Sequence, residues 1–280
     1  MRNNMGRLFV IGILSFLAAT LAQGQIGTAN GKPDNRPFDP HDLSGVWWGY
    51  LYGYAKAVPP MTPEGQKRFD ANKPAYGRAL GSSESAAHPE EDIGRRRAIA
   101  SALSNDPTFT CNPLGLTRLL FFAPAPMEII QTPNKMVQTF EWTWDFREVW
   151  MDGRKLPDVD DYIPRYNGYS TGRWEGNTFV AETTGLDDRQ WIDHFGYPLS
   201  SKAHLEERWK RTNYSTVELT VTLTDPATYT KPWVSDVQTF RMVKRANLSK
   251  AWPALAEDRC VTADESEFAR HIEEPAGGVK

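Results

Sequence analysis

Glu207 stands between Leu205 and Trp209 on the odd positions of an alternating run, Ala203 to Arg211, so its carboxylate shares a face with a leucine and a tryptophan. A carboxylate held against apolar walls has a raised pKa unless a cation neutralises it. Arg147 shares a face with Val149 and Met151, and Arg241 with Val237 and Val243. Either arginine paired with Glu207 would set a polar spot in an aromatic cavity, which is the composition of a small-molecule site. The same pattern fits a structural salt bridge, or strands whose apolar-looking face meets solvent. For acid–base chemistry the catalytic candidates are Glu207, His204 on the neighbouring face, and Arg147.

Further polar and aromatic groups stand where strands turn. Asp152-Gly153-Arg154 and Arg173-Trp174-Glu175-Gly176-Asn177 are turn segments, and Glu141 and Trp142 lie in a second alternating run. Arg241, Glu141, Trp142, Asp152, Arg154, Trp174 and Glu175 are therefore the ligand-binding candidates. Turn chemistry explains Asp152-Gly153 equally well, and an arginine stacked on a tryptophan explains Arg173-Trp174. The common enzyme signatures GxSxG, GxxxxGK[ST], HExxH and GxGxxG are missing. His41, His88, His194, His204 and His271 are scattered without ligand spacing. No metal site and no cofactor is expected, and His88-Pro89-Glu90-Glu91-Asp92 reads as a solvated acidic loop.

These side chains need strands to position them. Met136 to Met151 alternates, with Phe140, Trp142, Trp144, Phe146 and Trp150 on one parity, which predicts one strand with a packed aromatic face and a hairpin at Asp152-Gly153. Segments 168–174 and 178–184 predict a second hairpin, and 203–211 with 217–223 a third; Val237 to Arg245 predicts another strand. Strands at this spacing imply a mainly β fold, an antiparallel calycin-like barrel or sandwich. Thr62-Pro63-Glu64 starts a helix running to about Asn72, with Thr62 as N-cap, and Ser85 to Leu103 is read as a second helix. The N-terminal third thus holds one or two short helices.

Arg2 and Arg7 precede the apolar run Leu8 to Leu21, and Ala22-Gln23-Gly24 offers small residues for cleavage. This reads as a signal peptide over 1–24, then an extended linker over 25–42 and one β-rich domain over 43–280 with a helical insertion near 60–105. The apolar run is shorter than the ~20 residues that cross a bilayer, so no stable membrane insertion is expected. A periplasmic or secreted location follows. Cys111 and Cys260 are the only cysteines; in an oxidising compartment they read as one disulfide closing a loop of roughly 150 residues, worth ~4 kcal/mol in the chain-entropy model, the alternative being two unrelated buried thiols. A formal charge of -3 excludes an electrostatic nucleic-acid binder.

In order along the chain, Cys111-Asn-Pro-Leu-Gly-Leu-Thr-Arg118, Phe146-Arg-Glu-Val-Trp-Met-Asp-Gly-Arg154, Gly172-Arg-Trp-Glu-Gly-Asn-Thr-Phe-Val180, Glu207-Arg-Trp-Lys-Arg211 and Asp225-Pro226 to Pro232-Trp233 resemble a family of largely uncharacterised exported bacterial proteins. The resemblance covers roughly 110–235. The usual family pattern has Asp where Asn177 stands and a His-Ser-Asp run at Leu199-Ser200-Ser201. Asp42-Leu-Ser-Gly45-Val-Trp47 resembles the G-x-W opening strand of lipocalin-like (calycin) barrels, which implies that Trp47 closes one barrel end. Three function classes remain: a barrel binding a small sugar-like or aromatic ligand; a cofactor-independent lyase, isomerase or hydrolase on the same barrel; and a carbohydrate-binding or surface module with exposed tryptophans.

Overall fold

Alternation of apolar and polar residues at period two builds most of this chain. The computed structural model describes residues 34–49, 58–75, 99, 103–121, 125–158, 161, 163–243, 255 and 260. The expected leader, most of the expected second helix and the 88–92 acidic loop lie outside them. The strands are β1 (Gly45–Trp48), β2 (Met127–Gln131), β3 (Lys135–Phe140), β4 (Asp145–Trp150), β5 (Tyr169–Glu175), β6 (Thr178–Thr184), β7 (His204–Asn213), β8 (Thr216–Thr224), β9 (Trp233–Val234) and β10 (Gln238–Met242). Two α-helices are present among the described residues, α1 (Pro63–Ala71) and α2 (Leu116–Phe121).

Strands β1 to β8 pair in sequence order, and β10 pairs with both β8 and β1, which closes a nine-strand barrel. The tenth strand, β9, continues along β8 beyond β10. The core residues, Trp47, Phe140, Phe179, Leu205, Trp209, Leu219 and Phe240 among them, are the inward positions of these strands with the helical and loop residues packed on them. Closure leaves no free edge along the ring, a protection against edge-to-edge association.

Three local expectations are corrected. The run 136–151 is two strands, because Thr143 and Trp144 take left-handed φ values of 58° and 53° and turn the chain at 141–144. The turn shifts the parity, so Phe140, Arg147 and Val149 face inward while Phe146 is 62% exposed and Trp144 46% exposed. Asp152-Gly153 makes a turn, with Gly153 at φ +82°, but not a hairpin: β5 pairs parallel to β4, so 151–168 must carry the chain back to the other end of the barrel. In β10 the buried positions are Gln238 and Phe240, so Arg241 belongs to the outer parity; burying the Phe240 ring sets the register, and Val237 is exposed. The hairpins at 175–178 and 213–216 form as expected, with Gly176 at φ +56°.

The register gives the barrel two distinct ends. At the first, residues 34–44 lie against the strand ends. His41 stacks on Trp174 at 4.6 Å, Arg36 lies over Tyr214 at 3.7 Å, and Gln131 Nε2 donates to the His41 carbonyl at 2.6 Å. Trp47 is fully buried there, its Nε1 donating to the Leu43 carbonyl at 2.8 Å, with the Arg211 guanidinium 5.5 Å from its ring. The second end carries the 141–144 turn, the 185–203 connection, the 225–232 segment and both helices. Helix α1 begins as its sequence dictates: Thr62 Oγ1 accepts from the Gly65 N–H at 3.0 Å, and Pro63 sits at the first helical position. Gly65 is needed because a Cβ there would lie 2.2 Å from the Thr228 carbonyl oxygen. The Cys111–Cys260 disulfide forms, with 5.4 Å between the Cα atoms. No helix among the described residues is long and apolar enough to cross a membrane.

Candidate functional site

Two polar centres sit in this frame, one inside the barrel and one in the layer covering its second end. Inside, β7 turns Glu207 inward between Leu205 and Trp209, and β4 turns Arg147 toward it. Arg147 Nη1 donates to Glu207 Oε1 at 2.7 Å and Nη2 to Oε2 at 2.6 Å, a bidentate pair. Trp209 Nε1 donates to Glu207 Oε2 at 3.0 Å, and Arg147 Nε donates to Gln138 Oε1. Glu207 is 0% exposed and Arg147 4%. Both carboxylate oxygens are taken by hydrogen bonds, and the group is sealed from solvent. A general acid or base must come within hydrogen-bond reach of a substrate proton, and Glu207 is fully buried with both oxygens already bonded to Arg147 and Trp209.

Of the other residues singled out from sequence, none joins this pair. His204 lies on the outer parity of β7 opposite Thr224, three residues from Glu207 and facing the other way. Arg241 is half-buried on the outer side and donates to Thr216 Oγ1. Glu141 and Trp142 are half-buried in the 141–144 turn, with Trp142 packed on the core. Asp152 and Arg154 pair with each other at 2.6 Å, and Arg154 stacks on Trp150 at 3.7 Å. Trp174 is covered by His41, and Glu175 bridges Arg173 and Arg208 on the outer surface. Hydrogen bonding from Arg208, then Arg173, holds the Glu175 carboxyl below its usual range.

The second centre was not legible as a site. A cleft of about 330 Å³ opens between α1, the 105–112 segment and the 188–198 part of the long connection. Arg68 of α1 and Asn72, which caps its C-terminus, line it, with Asn105, Asn112, Arg189 and Trp191. Arg68 Nη2 donates to the Asp188 carbonyl at 2.6 Å, and Arg189 spends Nε and Nη2 on Asp187. Guanidinium N–H groups of both remain for a ligand. Those hydrogen bonds from Arg189 pull the Asp187 carboxyl down.

Behind the cleft lies a strut. Helix α2 is buried along its whole length, Arg118 included. Arg118 Nη1 and Nη2 donate to the two oxygens of Asp106 at 2.8 and 3.1 Å, and Nη2 also lies 2.9 Å from His194 Nδ1. Asp106 belongs to one cleft wall and His194 to the other, so the guanidinium ties the walls together. Burial alone would push the Asp106 carboxyl up; the Arg118 charge and hydrogen bonds outweigh it and leave the group below its ordinary value. Asp193, 3% exposed, accepts from the Phe195 N–H at 2.9 Å and the Tyr197 N–H at 3.2 Å. Burial pushes its carboxyl up to about 7, against those two hydrogen bonds and the Arg118 charge. The signal in the sequence is Trp191-Ile192-Asp193-His194-Phe195, an acid and an imidazole inside an apolar run.

Compared with protein-family models, curated proteins and solved structures, the chain matches none.

Proposed function

We propose that this protein is an exported, calycin-like barrel that binds a compact, hydroxyl-rich ligand of sugar type in the cleft at its second end. One observation carries the reading: a cleft of about 330 Å³ lined by two arginines, three asparagines, Asp188 and Trp191. That volume is at the lower end of the range for small-molecule sites. Donors and a carboxylate acceptor side by side suit hydroxyl groups, which give and take hydrogen bonds. The disulfide supports a periplasmic or secreted location, as does the leader-like start of the chain. The sealed Arg147–Glu207 pair supports a structural role inside the barrel rather than turnover there.

The test is a thermal-shift and NMR screen of monosaccharides and their uronic acids against the protein and its Arg68→Ala and Arg189→Ala variants. A sugar that raises the melting temperature of the parent and binds at least tenfold more weakly to a variant is the expected result. A panel that shifts nothing, or binding unchanged in both variants, would overturn the reading. Following each mixture for conversion over time separates binding from catalysis.

A further inference from the structure

Away from the cleft, three side-chain oxygens lie cut off from solvent without a hydrogen-bond partner: Thr143 Oγ1, Asp145 Oδ2 and Asn167 Oδ1. Two of them belong to side chains joined by a hydrogen bond, and the third to the turn residue two positions before Asp145. Asp145 Oδ1 accepts from Asn167 Nδ2 at 2.9 Å and from the Phe146 N–H at 2.8 Å. Asn167 Nδ2 also donates to the Phe146 carbonyl at 3.0 Å. The amide nitrogen is thus used twice, which fixes the orientation of the carboxamide and leaves its oxygen as the spare atom. Thr143 precedes Asp145 by two residues in the left-handed turn.

Orphaned buried acceptors are costly, and two of these oxygens, those of Asp145 and Asn167, only accept. A bridging water could donate to both; a cation relieves both and also supplies the counter-charge that the carboxylate lacks. No lysine or arginine among the described residues acts on Asp145, and burial pushes its carboxyl up against the hydrogen bonds from Asn167 and Phe146. No group of three His, Cys, Asp or Glu converges among the described residues, which disfavours zinc and other borderline metals. An all-oxygen set of carboxylate, carboxamide and hydroxyl suits a hard cation.

We propose that Asp145, Asn167 and Thr143 form a binding site for a hard divalent cation, with calcium preferred over magnesium. Calcium accepts irregular oxygen geometry and neutral donors, whereas magnesium demands a near-ideal octahedron. Water and turn carbonyls complete the shell. A single carboxylate makes the site weak, in the ~10⁻⁴–10⁻³ M range of extracellular calcium modules. The site pins the β3–β4 turn to the 163–168 segment and is independent of what the cleft binds.

The test starts from full-length protein stripped with EDTA. Calcium is titrated to about 10 mM while the melting temperature is followed, in parallel with terbium luminescence excited through tryptophan. Trp142 and Trp144 flank Thr143 and serve as antennae. The expected result is a rise half-complete at ~0.1–1 mM calcium, and terbium emission that calcium displaces. Asp145→Asn and Asn167→Ala should each weaken the response at least tenfold. A flat titration of the parent protein overturns the site, as does a response unchanged in Asn167→Ala. Asn167→Ala and the parent titration decide the question even where Asp145→Asn does not fold. Magnesium acting at equal concentration would overturn the preference for calcium.

Discussion

Arg147–Glu207 and Arg118–Asp106 are both bidentate, both buried and both built from one guanidinium and one carboxylate. Their surroundings differ. The barrel pair balances one charge with one charge and spends its spare acceptor on the Trp209 N–H. The pair behind the cleft has a second carboxylate, Asp193, and an imidazole, His194, within the same layer. One cation there faces more titratable groups than it can satisfy. Burial by itself therefore does not mark a functional centre; a charge imbalance beside an opening is the more telling sign.

The widest gap between the two centres should appear on removing one charge from the barrel. Glu207→Gln leaves Arg147 buried without its counter-ion, a loss of about 3–5 kcal/mol. Urea unfolding measures it, and sugar binding by the folded fraction should be unchanged. Near-parental stability with lost binding would reverse the assignment of the two centres. At the cleft the expected change has the opposite sign. The folded-state value of Asp193, about 7, lies above the ordinary 3.8, so between those pH values the folded chain holds a proton that the unfolded chain has released. Stability then falls as pH rises from about 4 to about 7 and levels off above. Asp193→Asn keeps an acceptor for the Phe195 and Tyr197 N–H groups and removes the ionisation. It should gain on the order of 2–4 kcal/mol at pH 8 and flatten the slope in urea unfolding followed across pH. A parental slope in this variant would place the titration elsewhere. The smallest effect concerns the helix that brings Arg68 and Asn72 to the cleft. Thr62→Ala removes the N-cap and should cost about 1 kcal/mol, with a matching slight loss of ligand affinity by calorimetry.

The barrel was readable because its code is local. Period-two alternation in β7 and β8, and glycine or asparagine in the tight turns, name both the strands and their facing residues. Glu207 follows directly from parity, whereas Arg147 faces the same interior as Phe140 only because the 141–144 turn shifts the parity between them. The misreadings have local causes too. Thr143 and Trp144 look like strand residues by type, yet they take the left-handed turn that reverses the parity of Phe146. The parallel β4–β5 pairing depends on a long return through 151–168, which no neighbouring residues encode. Arg241 was misplaced because valines at 237 and 243 imitate an inward row, whereas the Phe240 ring decides the register. The cleft is assembled from segments near 68, 106, 118 and 190, and no spacing rule joins positions so far apart.

Cys111 stands between Thr110 and Asn112, both of which line the cleft, and its partner is 149 residues away. The crosslink therefore anchors a wall of the cleft to Cys260, far along the polypeptide. In a reducing cytosol, where thiols are kept apart, the strands could still close their ring while that wall lacked its tether. The shape of that wall would then depend on oxidation of a single pair of thiols, a dependence the barrel itself does not share.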